Sequence, residues 1–173
     1  MTKKEFMNLI ANGQEDIIQQ LLDLLNKIKI DYCVIGGLAV NAYVEPVVSL
    51  DLVLVIVAES LNKMIQAVGK LFNVEKFTHS INLSSSKSDL RIQLQTDLRY
   101  QAFIPRSSLK NVMGYKMKVA TIEDILQGKI WAYTDEQRRK SKRQKDLADI
   151  FRLIESYPNL KDLLPESIRK LGF

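Results

Sequence analysis

The 173 residues are 46% hydrophobic and 26% charged, with one histidine, one cysteine and a net charge of +5, a composition that suits one soluble globular domain. No apolar run reaches the roughly 18 residues that cross a bilayer, and Met1-Thr2-Lys3-Lys4-Glu5-Phe6 lacks a signal-peptide core, so a cytoplasmic protein with no membrane partner is expected. A single cysteine excludes an internal disulfide, and His79 has no cysteine or histidine partner at metal-ligand spacing, which excludes a zinc site.

Glu15 to Ile28 carries apolar residues at Ile17, Ile18, Leu21, Leu22, Leu24, Leu25 and Ile28, close to the period of an amphipathic helix. Asp31 to Ile35 reads as a short apolar strand in which Cys33 is a buried small hydrophobe. The strand ends at Gly36-Gly37, and a helix follows over Leu38 to Tyr43 until Pro46. Ser49 to Val57 contains a continuous β-branched run, the mark of a strand covered on both faces. A helix from about Ser60 to Leu71 comes next, then short strands at Val74–Phe77 and Ile81–Leu83 and a polar turn over Ser84 to Ser88. Leu90 to Gln95 alternates, with Leu90, Ile92 and Leu94 on one face and Arg91, Gln93 and Gln95 on the other. Val112 to Val119 reads as a small hairpin around Gly114. Thr121 caps a helix over about Ile122 to Tyr133, a second spans about Gln144 to Tyr157, and a last short helix lies near Leu163 to Ile168. The expected fold is α/β: one domain over 1–173, with a sheet core at about 29–105 and a helical part at about 120–173.

Two groups of residues can carry chemistry. Gly36 and Gly37 allow a phosphate to approach the backbone at a strand-to-helix turn, or simply make a tight turn. Asp51 opens the following strand. Acids at i and i+2 on a strand share a face and suit a shared metal, but the i+2 residue is Val53, so Asp51 is either a metal ligand or a strand-end acid. Gln93, central on the neighbouring strand, is a poor Mg²⁺ ligand, which leaves the flanking Asp89 and Asp97 as replacement acids. On the late helices, Lys145 and Asp149 are four apart and Asp146 and Asp149 three apart, spacings for a surface ion pair or for a lysine that offsets phosphate charge. The block Arg138, Arg139, Lys140, Lys142, Arg143 is either a solvated basic segment or a surface for phosphates and nucleic acid.

In this order, the elements Tyr32–Asn41, Pro46–Val55, Asp89–Tyr100, Ala120–Tyr133 and Arg138–Leu153 resemble the nucleotidyltransferase superfamily (a polymerase-beta-like fold), specifically its bacterial abortive-infection-toxin (AbiEii-like) branch. The resemblance implies that Gly36, Gly37 and Ser49 hold the phosphates of an NTP. It further implies that Asp51 binds Mg²⁺ within an Asp-x-Asp pair and a third acid, that Asp97 supplies a missing acid, and that Lys129 and Lys145 offset triphosphate charge beside Asp149. A nucleoside monophosphate would pass to an RNA or protein hydroxyl, with the basic block as acceptor surface and an antitoxin as partner. Val53 and Gln93 depart from the acid pattern, and Val47 replaces the arginine expected after Pro46. These departures imply impaired transfer, or an inactive member that binds nucleotide, RNA or a partner protein.

Overall fold

In a computed structural model describing residues 1–173, the apolar runs form the middle of one mixed sheet. Its strands are β1 (Tyr32–Ile35), β2 (Asp51–Ile56), β3 (Asn73–Lys76), β4 (Ser80–Ser85), β5 (Ser88–Gln95), β6 (Ser108–Val112) and β7 (Tyr115–Val119), in the order β3-β4-β5-β2-β1-β7-β6. The helices are α1 (Lys3–Ile10), α2 (Ile17–Lys27), α3 (Gly36–Val40), α4 (Leu61–Val68), α5 (Ile122–Thr134), α6 (Lys140–Ser156) and α7 (Glu166–Arg169). The fold is α/β, as the alternation of patterns predicts. No helix is long and apolar enough to cross a membrane.

β1 and β2 are antiparallel and central, because both are apolar on both faces. β2 and β5 run parallel, which sets Asp51 beside Arg91 and Val53 beside Gln93. The β5 alternation is realised: Leu90, Ile92 and Leu94 are buried, while Arg91 is exposed and Gln93 half-buried. One core draws on residues from Met7 to Ile168. Cys33 is fully buried in it, and burial pushes its thiol up to about 12, so it stays protonated and inert at neutral pH.

Three elements differ from the sequence reading. The hairpin β6–β7 is part of the sheet, not an appendage to it, because β7 pairs in parallel with β1 through Val34 and Val119. Tyr115, Met117 and Val119 supply the buried face of that strand. α1 was not anticipated, although Thr2 and Glu5 form a capping box that marks its start. α6 begins at Lys140, so most of the basic block is helical, where the sequence reading starts the helix only at Gln144.

Candidate functional site

The antiparallel pairing of β1 and β2 brings the end of one strand to the start of the other. Gly36 and Gly37 therefore meet Ser49, Asp51 and Val53 at one end of the sheet. Gly36 has φ of +78°, and a Cβ placed there would lie 3.2 Å from Val53 Cγ2. A Cβ on Gly37 would lie 3.5 Å from Ser49 Oγ and 3.8 Å from Asp149 Oδ2. Ser49 Oγ in turn accepts from the Asp51 amide at 3.3 Å. Gly36→Ala should therefore cost about 2 kcal/mol, from left-handed backbone strain and the Val53 contact. Gly37→Ala meets only ordinary contacts and should change stability by less than about 1 kcal/mol. Urea unfolding of the two variants checks the contrast.

Asp51 and Val53 share a face of β2, and their cross-strand neighbours extend that face. Arg91 lies beside Asp51, while Gln93 and then Asn82 continue the row from Val53. The Arg91 guanidinium grips Asp51 with both ends of its fork, Nε to Oδ1 at 2.7 Å and Nη2 to Oδ2 at 3.2 Å. These donors do not fit a two-metal centre. The next acid in the row is Glu75, three strands away on the edge strand, both oxygens of Asp51 accept from Arg91, and no three acidic, histidine or cysteine side chains converge anywhere to hold an ion.

The structure does not bring Asp97 to this place. Asp97 follows the far end of β5, six residues beyond Arg91, on the order of 20 Å along the strand. It caps the 3₁₀ turn Leu98–Phe103 by accepting from the Arg99 amide. Burial disfavours its charge, but the hydrogen bonds and charge of Arg99 outweigh that and hold the carboxyl below its ordinary value. Asp97 is thus a turn acid, too distant to substitute for a ligand beside Asp51. Asp89 lies at the correct end of β5, but it accepts from Asn12 Nδ2 at 2.6 Å.

The late helices contribute a buried charge network. Lys129 Nζ lies 3.1 Å from Asp146 Oδ1 and 2.9 Å from Asp149 Oδ2. Arg138 Nε donates to Asp146 at 2.7 Å, and Arg152 Nη1 to Asp149 at 2.8 Å. Arg152 also donates to Asn41 Oδ1 and to the Glu45 carbonyl, while the Asn41 amide bonds both the N–H and the carbonyl of Val47. A continuous polar chain thus runs from α5 through α6 to the loop that carries Ser49 and Asp51. Asp146 and Asp149, three apart on one face of α6, both reach Lys129, so the pair is part of a buried network and not a helix-surface ion pair. The expected Lys145–Asp149 pair does not form, because Lys129 and Arg152 saturate Asp149; Lys145 is exposed. In the basic block, Arg138 is tied to Asp146 and Arg143 donates to the Tyr133 carbonyl, leaving Arg139, Lys140 and Lys142 toward solvent.

Sequence reasoning missed Arg91, Arg152 and Asn41. The alternation of β5 put Arg91 on the correct face, but only the register placed it against Asp51. Two open grooves around Trp131 and Leu163 lie elsewhere and include none of the residues at the glycine turn.

Similar proteins share this architecture. ANT(2″)-Ia in complex with adenylyl-2″-tobramycin superposes with a TM-score of 0.63 at 16% identity, over 89% of this chain and 95% of that one. The lincosamide antibiotic adenylyltransferase LnuA, bound to lincomycin, gives 0.56 at 14% identity over 82% and 98%. An antigenic nucleotidyltransferase-like protein from Paracoccidioides brasiliensis gives 0.52 at 20% identity over 89% and 90%. No curated protein matches the sequence. Residues 35–172 match the family described as nucleotidyl transferase AbiEii toxin, type IV toxin–antitoxin system, and the chain belongs to that nucleotidyltransferase family.

Proposed function

We propose that this chain binds a nucleoside triphosphate at the Gly36–Gly37 turn and transfers its nucleotidyl group only at a strongly impaired rate. One observation carries the reading: Asp51 is clasped by Arg91, the row beside it is Val53, Gln93 and Asn82, and the other acids of that face are Asp89, bonded to Asn12, and Glu75 on the edge strand. Two-metal transfer needs several carboxylates to hold ions against developing charge. One acid already neutralised by a guanidinium does not supply that.

Gly37, Ser49 and Asp149 would frame the phosphates, with Lys145 exposed nearby on α6. Lys129 acts through Asp149 as a positioning group. The acceptor, an RNA or protein hydroxyl, would meet Arg139, Lys140 and Lys142, which are free for phosphate or acidic contacts. Family membership supports an antitoxin partner.

The test pairs binding with transfer. Equilibrium binding of each of the four ribonucleoside triphosphates is measured beside label transfer from α-labelled NTPs to cell-extract RNA and protein, in Mg²⁺ or Mn²⁺. Wild type and Asp51→Ala should both bind nucleotide, and both should leave transfer near background. Robust wild-type transfer that vanishes in Asp51→Ala would overturn the impaired reading. Absence of any nucleotide binding would redirect the cleft to a protein partner.

A further inference from the structure

We infer that Arg91 stands where a divalent cation would be needed, and that the cleft therefore takes its polyphosphate ligand free of metal. The inference rests on the nucleotide-binding reading above and names the form of the ligand.

The geometry of the guanidinium is the first ground. Arginine offers five N–H donors in a rigid fork. Two of them are spent on Asp51, at 2.7 and 3.2 Å. The guanidinium makes no other hydrogen bond, and the side chain is 67% exposed. Three donors therefore face solvent from a fork whose orientation Asp51 fixes. A planar cation with free donors is the group that recognises phosphate oxygens in pairs.

Charge is the second ground. On the sheet face, Asp51 and Arg91 cancel, Val53, Gln93 and Asn82 are neutral, Asp89 is bonded to Asn12, and Glu75 stands three strands from Asp51. A site with several acids repels a triphosphate until cations bind, and this site has no such deficit to fill. On α6, Lys142 and Lys145 follow the helical spacing that leads to Asp149, which lies by Gly37. Asp149 is already matched by Lys129 and Arg152. The cleft thus holds no uncompensated cluster of acids that only a metal could match, and a polyanion can meet the free donors of Arg91 directly.

Packing is the third ground. The Val53 side chain lies directly beneath the glycine turn, close to where a Gly36 Cβ would be. An apolar group at that spot gives a hydrated cation nothing to coordinate, since magnesium demands oxygen ligands.

The experiment is titration calorimetry of the full chain with each of the four ribonucleoside triphosphates, in excess EDTA and in excess Mg²⁺. Wild type should bind at least one of them in EDTA as tightly as in Mg²⁺, or more tightly. Arg91→Gln, an exposed change that keeps the fold, should weaken binding in EDTA about tenfold or more. Lys170→Gln, with the same charge change at an exposed C-terminal position, should leave it unchanged. Val53→Asp should reverse the preference, so that Mg²⁺ strengthens binding. Wild-type affinity that appears only with Mg²⁺, or an Arg91→Gln chain that binds like wild type in EDTA, overturns the inference and leaves nucleotide binding standing. No binding in either buffer removes the nucleotide reading itself, and this inference with it.

Discussion

Asp146→Ala should cost about 3 kcal/mol of folding stability, the low end of the range for breaking a buried ion pair. Asp146 is 2% exposed and accepts from both Lys129 and Arg138. Its removal strands two cations that were taken out of water to meet it. The loss stays at the low end because both have a second recourse: Lys129 keeps Asp149 at 2.9 Å, and Arg138 is a third exposed and can turn outward. Asp149→Ala should cost less, because Asp149 is more open, at 15%. Urea unfolding should show a lower midpoint with an unchanged slope, and the order Asp146 above Asp149 is the diagnostic feature. Equal and small losses, below about 1 kcal/mol each, would mean that the network is only a solvated helix surface. Its placement argues otherwise. The same chain of contacts continues through Arg152 and Asn41 to Val47, so it anchors the loop that delivers Ser49 and Asp51. That anchoring makes Lys129 and Arg152 positioning residues, which explains why a lysine buried against two acids sits so near a site with almost no acid of its own.

The sequence made the scaffold legible where the signal is local. The β-branched run of β2, the alternation of β5, the Thr121 cap and the glycine turn each follow from composition or period within a few residues, and each is found. The Thr2–Glu5 capping box of α1 is an equally local signal, though no apolar period of a full helix follows it. What escaped depends on register or on contacts distant in the chain. Nothing within β5 says that Arg91 will lie opposite Asp51, forty residues away; the parallel pairing decides it. The same limit misplaced Asp97, which is close to Gln93 in sequence but belongs to the far end of the strand. The Lys145–Asp149 spacing was a fair helical signal, but a lysine from α5 outcompeted it, because burial rewards the partner that is held in place over one that must be drawn from water. The absences at 53 and 93 were visible from the start, since residue identity needs no geometry. Their meaning was not, because whether another acid fills the gap is a question of three dimensions.

Restoring the acids should restore chemistry. The double variant Val53→Asp with Gln93→Asp should transfer label from an α-labelled NTP in Mg²⁺ at a rate on the order of a hundredfold or more above wild type, the scale on which single charge-stabilising groups act in active sites. The three carboxylates would lie on one face: residues 51 and 53 are two apart on β2, and residue 93 is the cross-strand neighbour of 53. Arg91 is the obstacle, and its strength can be bounded. The pair is exposed at 67% and 41%, and such pairs contribute at most about 1 kcal/mol. A divalent ion facing three carboxylates outweighs that, so Arg91 should release Asp51 and swing to solvent. Position 53 is only half-buried, and aspartate is close to valine in volume, with a single atom on Cβ and its branch one bond further out at Cγ, so the fold should tolerate the change beneath Gly36. Adding Arg91→Ala should raise the rate further by removing the competing cation. If the double variant folds, binds nucleotide and still transfers nothing beyond wild type, the missing acids are not what limits this cleft. The cause would then lie in the loop from Pro46 to Leu50, where Val47 and Val48 stand exposed beside Ser49. If transfer appears, the glycine turn, Ser49 and the α5–α6 network have kept a working nucleotidyltransferase frame around a sheet face whose charge has been rewritten.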